Sequence, residues 1–223
     1  MCILCTADLH IGRTSTKIPS HANNSDFSTS RTWDRIINLA IERRVDVLLM
    51  AGDIVDRTNT RFEAVDSLEK GLKKLQSTDI SCYVITGNHD SDILPRIIES
   101  INSSNIFLFA NSNSWEYVED KHGLIICGKS YMKSDSSPLE GFSNPASYNK
   151  PTIALLHSSL GAGYDSYAPV TPSQLSACND VTWIAGHIHQ HSFLAPNIII
   201  PGSPQALDPG EMGQHGVVLL DYD

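Results

Sequence analysis

Nothing in this chain approaches the roughly 20 consecutive apolar residues that a helix needs to cross a bilayer. Its apolar runs, NIII and VVLLDYD among them, are of strand length, so no membrane span is expected. No secretory leader is expected either: Met1 runs straight into CILCTA, with no basic segment, no long apolar segment and no small-residue cleavage site. Positive charge is scarce, with 16 Lys and Arg against 25 Asp and Glu and a net charge of −9. That excludes the broad basic surface with which duplex-binding proteins neutralise phosphates. Part of the acidity is local if carboxylates bind divalent cations, which neutralise them. Cysteine is limited to five residues, an odd count, most of them in or beside apolar runs. This excludes a disulfide framework and fits reduced, packed thiols in a cytoplasmic protein. Internal repeats and low-complexity tracts are absent.

What remains is a folded globular composition, 41% hydrophobic and 18% charged over 223 residues, the size of one α/β domain. Strand-length apolar runs recur at CILCTA, VDVLLMAG, SCYVITG, NIFLFA, HGLIICG, TIALLH, VTWIAG, NIIIPG and GVVLLDYD. Several are rich in Val, Ile and Leu on both faces, as buried strands are. Helical spacing of apolar residues marks 32–44, through Trp33, Ile36, Ile37, Ala40 and Ile41, and 61–75, through Phe62, Val65, Leu68, Leu72 and Leu75. A weaker helix is expected over 172–178. Strand and helix alternate in the first half, and the second half is mostly strands. The expected fold class is therefore α/β, with two mixed β-sheets packed face to face and flanking helices. The polar stretches 14–30 and 129–150, rich in Ser, Asn and Pro, read as surface loops.

Chemistry gathers where strands end. Asp8-Leu9-His10 follows the first strand, where an extended segment can bring both side chains to one side; alone, such a triplet is common by chance. Gly52-Asp53-Ile54-Val55-Asp56-Arg57 follows the second, and an Asp after a strand is also an ordinary helix cap. Gly87-Asn88-His89-Asp90 follows the third, and reads equally as a turn whose Asp90 caps the next helix. His157 ends TIALLH, and Gly186-His187-Ile188-His189 follows VTWIA. A single strand-end histidine is more often a hydrogen-bonded structural residue than a ligand, but five such clusters in order make coincidence implausible. Oxygen plus imidazole donors suit Mn²⁺, Fe²⁺ or Zn²⁺ rather than Ca²⁺ or a thiolate site. Asp8, His10, Asp53, Asn88, His157, His187 and His189 exceed what one ion coordinates, so two metals fit better than one. A metallo-β-lactamase reading, which needs H-x-H-x-D-H, fails on spacing: GHIHQH has Gln190 and no Asp, and ends early.

Taken in order, D-x-H, GDxVDR, GNHD, a lone strand-end His and GHxH resemble the calcineurin-like metallophosphoesterases over nearly the whole chain. ADLHIGR, VDVLLMAGDIVDR and IIIPGSPQALDPGE, with its short acidic motif, are most similar to the catalytic domain of SbcD-type DNA repair nucleases. The resemblance implies a four-layer α/β/β/α sandwich holding two divalent ions, Mn²⁺ first, with Fe²⁺ or Zn²⁺ as alternatives. It places Asp8, His10 and His189 on one metal, Asn88, His157 and His187 on the other, and Asp53 between them, with a metal-bridging hydroxide as nucleophile. It makes His89 the group that protonates or positions the leaving-group oxygen, Asp56 the carboxylate that orients His89, and Arg57 a substrate phosphate contact. Thr58 stands where the phosphatases carry a glycine after that arginine. His191 has no counterpart among the ligands.

The function so implied is a two-metal phosphodiesterase acting on DNA as an endo- or exonuclease. An SMC-like ATPase or other protein partner and a homodimer come by resemblance alone. The chain is expected to be one catalytic domain over 1–223, with no separate capping domain or ATPase-docking helical segment. The alternatives are a small-molecule or nucleotide phosphodiesterase or phosphatase on the same site and, from another class, a non-catalytic scaffold.

Overall fold

Every one of the nine apolar runs supplies a strand. The computed structural model describes residues 1–13, 27–56, 62–110, 113–132, 138–145, 150–161 and 168–222. One sheet has the order β11-β1-β2-β3-β4, built from β1 (Cys2–Thr6), β2 (Val47–Ala51), β3 (Ser81–Ile85), β4 (Ile106–Phe109) and β11 (Val218–Asp221). β1 to β4 run parallel, and β11 closes the edge antiparallel to β1. The other sheet has the order β5-β6-β7-β8-β10-β9. It comprises β5 (Glu116–Glu119), β6 (Ile125–Gly128), β7 (Thr152–His157), β8 (Val181–Gly186), β9 (Ser192–Ala195) and β10 (Ile198–Ile200). Its inner strands β6, β7, β8 and β10 are parallel, with β5 and β9 antiparallel at the edges.

Successive strand residues point to opposite faces, and here that alternation builds three apolar layers. In β1 and β2, Leu4, Leu48 and Met50 face the helices α1 (Thr29–Glu42), α2 (Phe62–Gln76) and α3 (Leu94–Ile101). The residues between them, Ile3, Cys5, Val47 and Leu49, meet Ile153 and Leu155 of β7 and Ile184 of β8 in the space between the sheets. The far side of β7 and β8, with Ala154, Leu156 and Trp183, packs under Trp115, Phe142 and Leu175 of the short α4 (Pro172–Ser176). The result is the expected pair of face-to-face mixed sheets with flanking helices.

Two strands, β5 and β9, were not foreseen, and α3 was expected only as an unbounded helix after Asp90. α3 is only eight residues long and carries a proline in its first turn. The strands β5 and β9 are half-exposed edge strands with mixed polarity. α1 begins earlier than expected, capped by Ser28, whose Oγ accepts the Arg31 N–H. The stretch 129–150 is not uniformly a solvated loop, because Lys129, Ser130 and Tyr131 at its start are buried. All five cysteines are unpaired. Among the described residues no helix is long and apolar enough to cross a membrane.

Candidate metal centre

In a parallel α/β sheet, ligands gather beyond the carboxyl ends of the strands; here both sheets present those ends to one crevice. The loops after β1, β2 and β3 meet the end of β7 and the loop after β8. Two close approaches make this possible. A Cβ at Gly186 would sit 2.1 Å from the Ala51 carbonyl oxygen, and one at Gly87 would sit 2.1 Å from Asp53 Oδ1. Only glycine lets β8 come against β2 and the third loop come against the second.

Four candidate ligands are held in the left-handed region of backbone space: Asp8, His10, Asp53 and His187, with φ of 51°, 46°, 52° and 92°. Each such residue costs on the order of 1–3 kcal/mol and persists only where its surroundings over-determine it. They do so here. The first loop is tied to the second by Asp8 N–H to Gly52 O (3.0 Å), His10 N–H to Asp53 O (2.9 Å) and Ile11 N–H to Ile54 O (2.8 Å). The Asp8 carboxylate accepts the His187 N–H with both oxygens at 3.0 Å, joining the two sheets.

The side chains form two groups around Asp53. In the first, Asp8, His10 and His189 bring ligand atoms within 4.8 Å of one another, and the Nε2 atoms of His10 and His189 face each other at 3.2 Å. In the second, Asp53, His157 and His187 do the same. Asn88 Oδ1 lies between His157 Nε2 (3.1 Å) and His187 Nδ1 (3.0 Å). Asp53 Oδ2 stands 3.7 Å from His10 Nε2 and 3.4 Å from His157 Nε2, one imidazole from each group. His89 is half-buried next to this array, grouped with His10 and Asp53 and set edge-on to His10 with ring centroids 4.8 Å apart.

This donor set fits a pair of divalent cations. Asp8 and Asp53 are almost fully buried, and buried carboxylates demand compensating positive charge. In the metal-free protein that demand appears as displaced protons. Burial pushes the Asp8 carboxyl up, with Asp53 adding to the effect. Burial works against a charged His157, but Asp53 and Asp8 outweigh it and raise the imidazole to about 9. Burial likewise opposes a charged Asp53, yet His157 and His10 hold its carboxyl below the usual range. The imidazole nitrogens of His10 and His189 converge on each other, an arrangement that a shared cation satisfies better than a hydrogen bond. Oxygen and imidazole without thiolate suit Mn²⁺, Fe²⁺ or Zn²⁺.

The remaining sequence candidates fall differently. Asp56 Oδ2 lies 3.5 Å from His10 Nδ1. Its charge also reaches His89, which burial holds low while Asp53 and Asp56 push it up and His10 and Arg13 push it down. Arg57 lies outside the described residues. His191 turns away from both groups, with Nδ1 on the Ile200 carbonyl at 2.9 Å. Asp90 is not the cap of α3, whose N-cap is Ile93. Its buried carboxylate instead accepts the N–H groups of Gly87 (2.7 Å) and Ile54 (2.6 Å), pinning two site loops together. Burial raises that carboxyl to about 7, against those two bonds. Sequence reasoning missed this role, as it missed Glu211, whose Oε1 lies 2.6 Å from His189 Nδ1. The only signal for Glu211 was the acidic motif after PGSPQ.

Comparison with known proteins finds metallophosphoesterases among the proteins similar to this chain. The metallophosphoesterase YhaO of Bacillus subtilis (strain 168), named as uncharacterized, is 31% identical over 229 residues, covering 96% of this chain and 55% of its own length. The DNA double-strand break repair protein Mre11 of Nanoarchaeum equitans is 25% identical over 242 residues, covering 96% of this chain and 64% of its own. Mre11 of Methanococcus maripaludis is 24% identical, covering 83% and 51%. The chain thus spans between half and two thirds of these relatives. Among solved structures, TT1561 of Thermus thermophilus superposes with a TM-score of 0.58 at 12% identity, covering 91% of this chain and 89% of that one. A dimetal phosphatase from Danio rerio gives 0.52 at 13%, covering 86% and 82%. These two likenesses bear on the fold alone. The family model described as calcineurin-like phosphoesterase matches residues 1–191, and with that match over most of its length the chain belongs to the calcineurin-like phosphoesterase family.

Proposed function

We propose that the chain is a two-metal phosphodiesterase that cleaves DNA as an endo- or exonuclease, with Mn²⁺ as its metal and the cytoplasm as its setting. The observation that carries this reading is the pair of donor groups sharing Asp53, with the imidazole of His89 beside them. In this reading Asp8, His10 and His189 hold one ion, Asn88, His157 and His187 the other, and Asp53 both. Held there, divalent ions would supply Lewis acidity to a water and to the phosphoryl oxygens. His89 donates its proton to the leaving-group oxygen, a general-acid role that an imidazole beside the site can fill. Arg57 contacts a substrate phosphate. DNA as substrate is supported by the names of the Mre11 relatives. A net charge of −9 leaves little basic surface to hold a duplex, so a protein partner, of the SMC-like ATPase kind or another, or a second copy of the chain, supplies part of it.

The test is to incubate Mn²⁺-loaded protein with single-stranded DNA, duplex DNA, bis(p-nitrophenyl) phosphate and p-nitrophenyl phosphate. DNA and the diester are expected to be cleaved. The His89→Ala variant should keep both ions and lose roughly 10²–10⁴-fold in rate, the usual contribution of a general acid. Hydrolysis of the monoester alone would overturn the nuclease reading in favour of a phosphatase.

A further inference from the structure

Every imidazole offered to a metal must present a lone pair, so its other nitrogen has to carry the proton and give it to an acceptor. For His157 that acceptor is the Ala51 carbonyl, 2.9 Å from Nδ1, supplied by strand β2. His189 lies in the loop between β8 and β9. Its Nδ1 meets Glu211 Oε1 at 2.6 Å, while its Nε2 points to His10 Nε2. An ionised carboxylate only accepts hydrogen bonds. With Glu211 at Nδ1, the proton of a neutral His189 ring belongs on Nδ1 and the lone pair on Nε2, the nitrogen that faces the first donor group.

Glu211 is itself held in place. Its Oε2 accepts the Leu207 N–H at 2.7 Å, its own N–H donates to the Asp208 carbonyl at 3.0 Å, and His215 Nε2 contacts its carbonyl at 3.1 Å. Asp208 in turn forms an ion pair with Arg13, just beyond His10. The acceptor for His189 is thus a carboxylate delivered by the 203–216 segment between β10 and β11.

We propose that Glu211 is a positioning residue of the metal centre: it fixes the tautomer and ring orientation of His189, and so sets the affinity of the ion held by Asp8, His10 and His189 without setting that of the other. The proposal rests on the two-metal reading above. It does not require that DNA be the substrate.

Glu211→Gln is nearly isosteric and exposes the role. Whichever way the amide turns, its NH₂ faces either the Leu207 N–H or His189 Nδ1. The first sets two donors against each other, and the second drives the His189 proton onto Nε2. Mn²⁺ titration calorimetry on the full chain should show one of two sites weakened about 10–100-fold, the usual cost of removing a partner that orients a metal ligand, and the other unchanged. A merely structural role would lower the melting temperature and weaken both sites. In the metal-free wild-type protein, ¹⁵N shifts of the His189 ring should place the proton on Nδ1, a readout that needs no variant to fold. A proton on Nε2, or equal affinities in wild type and Glu211→Gln, would overturn the assignment of Glu211 alone. Wild-type protein that takes up no Mn²⁺ would overturn the two-metal reading and this proposal with it.

Discussion

The two halves of the metal centre are built by different means. On one side, His157 ends a core strand, is fully buried, and is fixed by a main-chain carbonyl of the neighbouring sheet. Its partner Asn88 is wedged between it and His187. On the other side, His189 sits in a loop with about a quarter of its side chain exposed, and its fixing group is a side chain 22 residues further on. A site set by strand backbone is as rigid as the core behind it, whereas a site set by a loop carboxylate can loosen without disturbing the core. The same pair of ions would thus be held with unequal stiffness.

Substitutions can break or sharpen this contrast. The largest effect is expected at Asp53, which belongs to both halves: Asp53→Ala should take the metal content measured by mass spectrometry from two ions to none. It should also remove several kcal/mol of transition-state stabilisation, roughly a thousandfold or more in rate. Next is His157→Ala, which should lose one ion and also destabilise the metal-free protein. The Ala51 carbonyl is left buried without its partner at about 1–3 kcal/mol, and each kcal/mol is worth roughly 2–4 °C in a domain of this size. His189→Ala should lose one ion with a smaller loss of melting temperature in the presence of chelator than His157→Ala, because its partner Glu211 is partly exposed and can turn to water. Equal melting losses for the two histidine variants would erase the distinction drawn between strand and loop. The smallest effect belongs to His191→Ala, expected to retain both ions and full activity; metal loss there would make it a third ligand of the GHIHQH stretch.

Much of this architecture is legible in the residue order because buried parallel strands leave long unbroken apolar runs and end in chemistry. CILCTA announces itself and the Asp8 beyond it, and TIALLH announces itself and the His157 that ends it. The edge strands are illegible for the opposite reason: Glu116–Glu119 alternates half-buried with exposed, and Phe193 and Leu194 in β9 are exposed, so neither leaves a run. α3 does carry apolar residues at helical spacing, with Leu94, Ile97, Ile98 and Ile101 buried, but over too few residues to stand out beside Pro95. Within the site, donor types at strand ends could be read. The left-handed backbone at Asp8, His10, Asp53 and His187 could not, because nothing in a side chain's identity records it. Asp90 and Glu211 were missed because their work is done on residues 36 and 22 positions away, pairings that only the tertiary fold creates.

The His10–His189 contact joins residues 179 apart, and β11, which packs against β1, comes later still. Closing so long a loop carries its full entropic cost before any contact repays it. A chain emerging during synthesis at about 5–20 residues per second holds Asp8 and His10 for many seconds before His189 exists to meet them. An ion held by all three would then be unable to guide the early steps of folding, and its capture would mark their completion. In refolding experiments, Mn²⁺ uptake at that position should follow the slowest phase, making the metal a timekeeper for the finished fold.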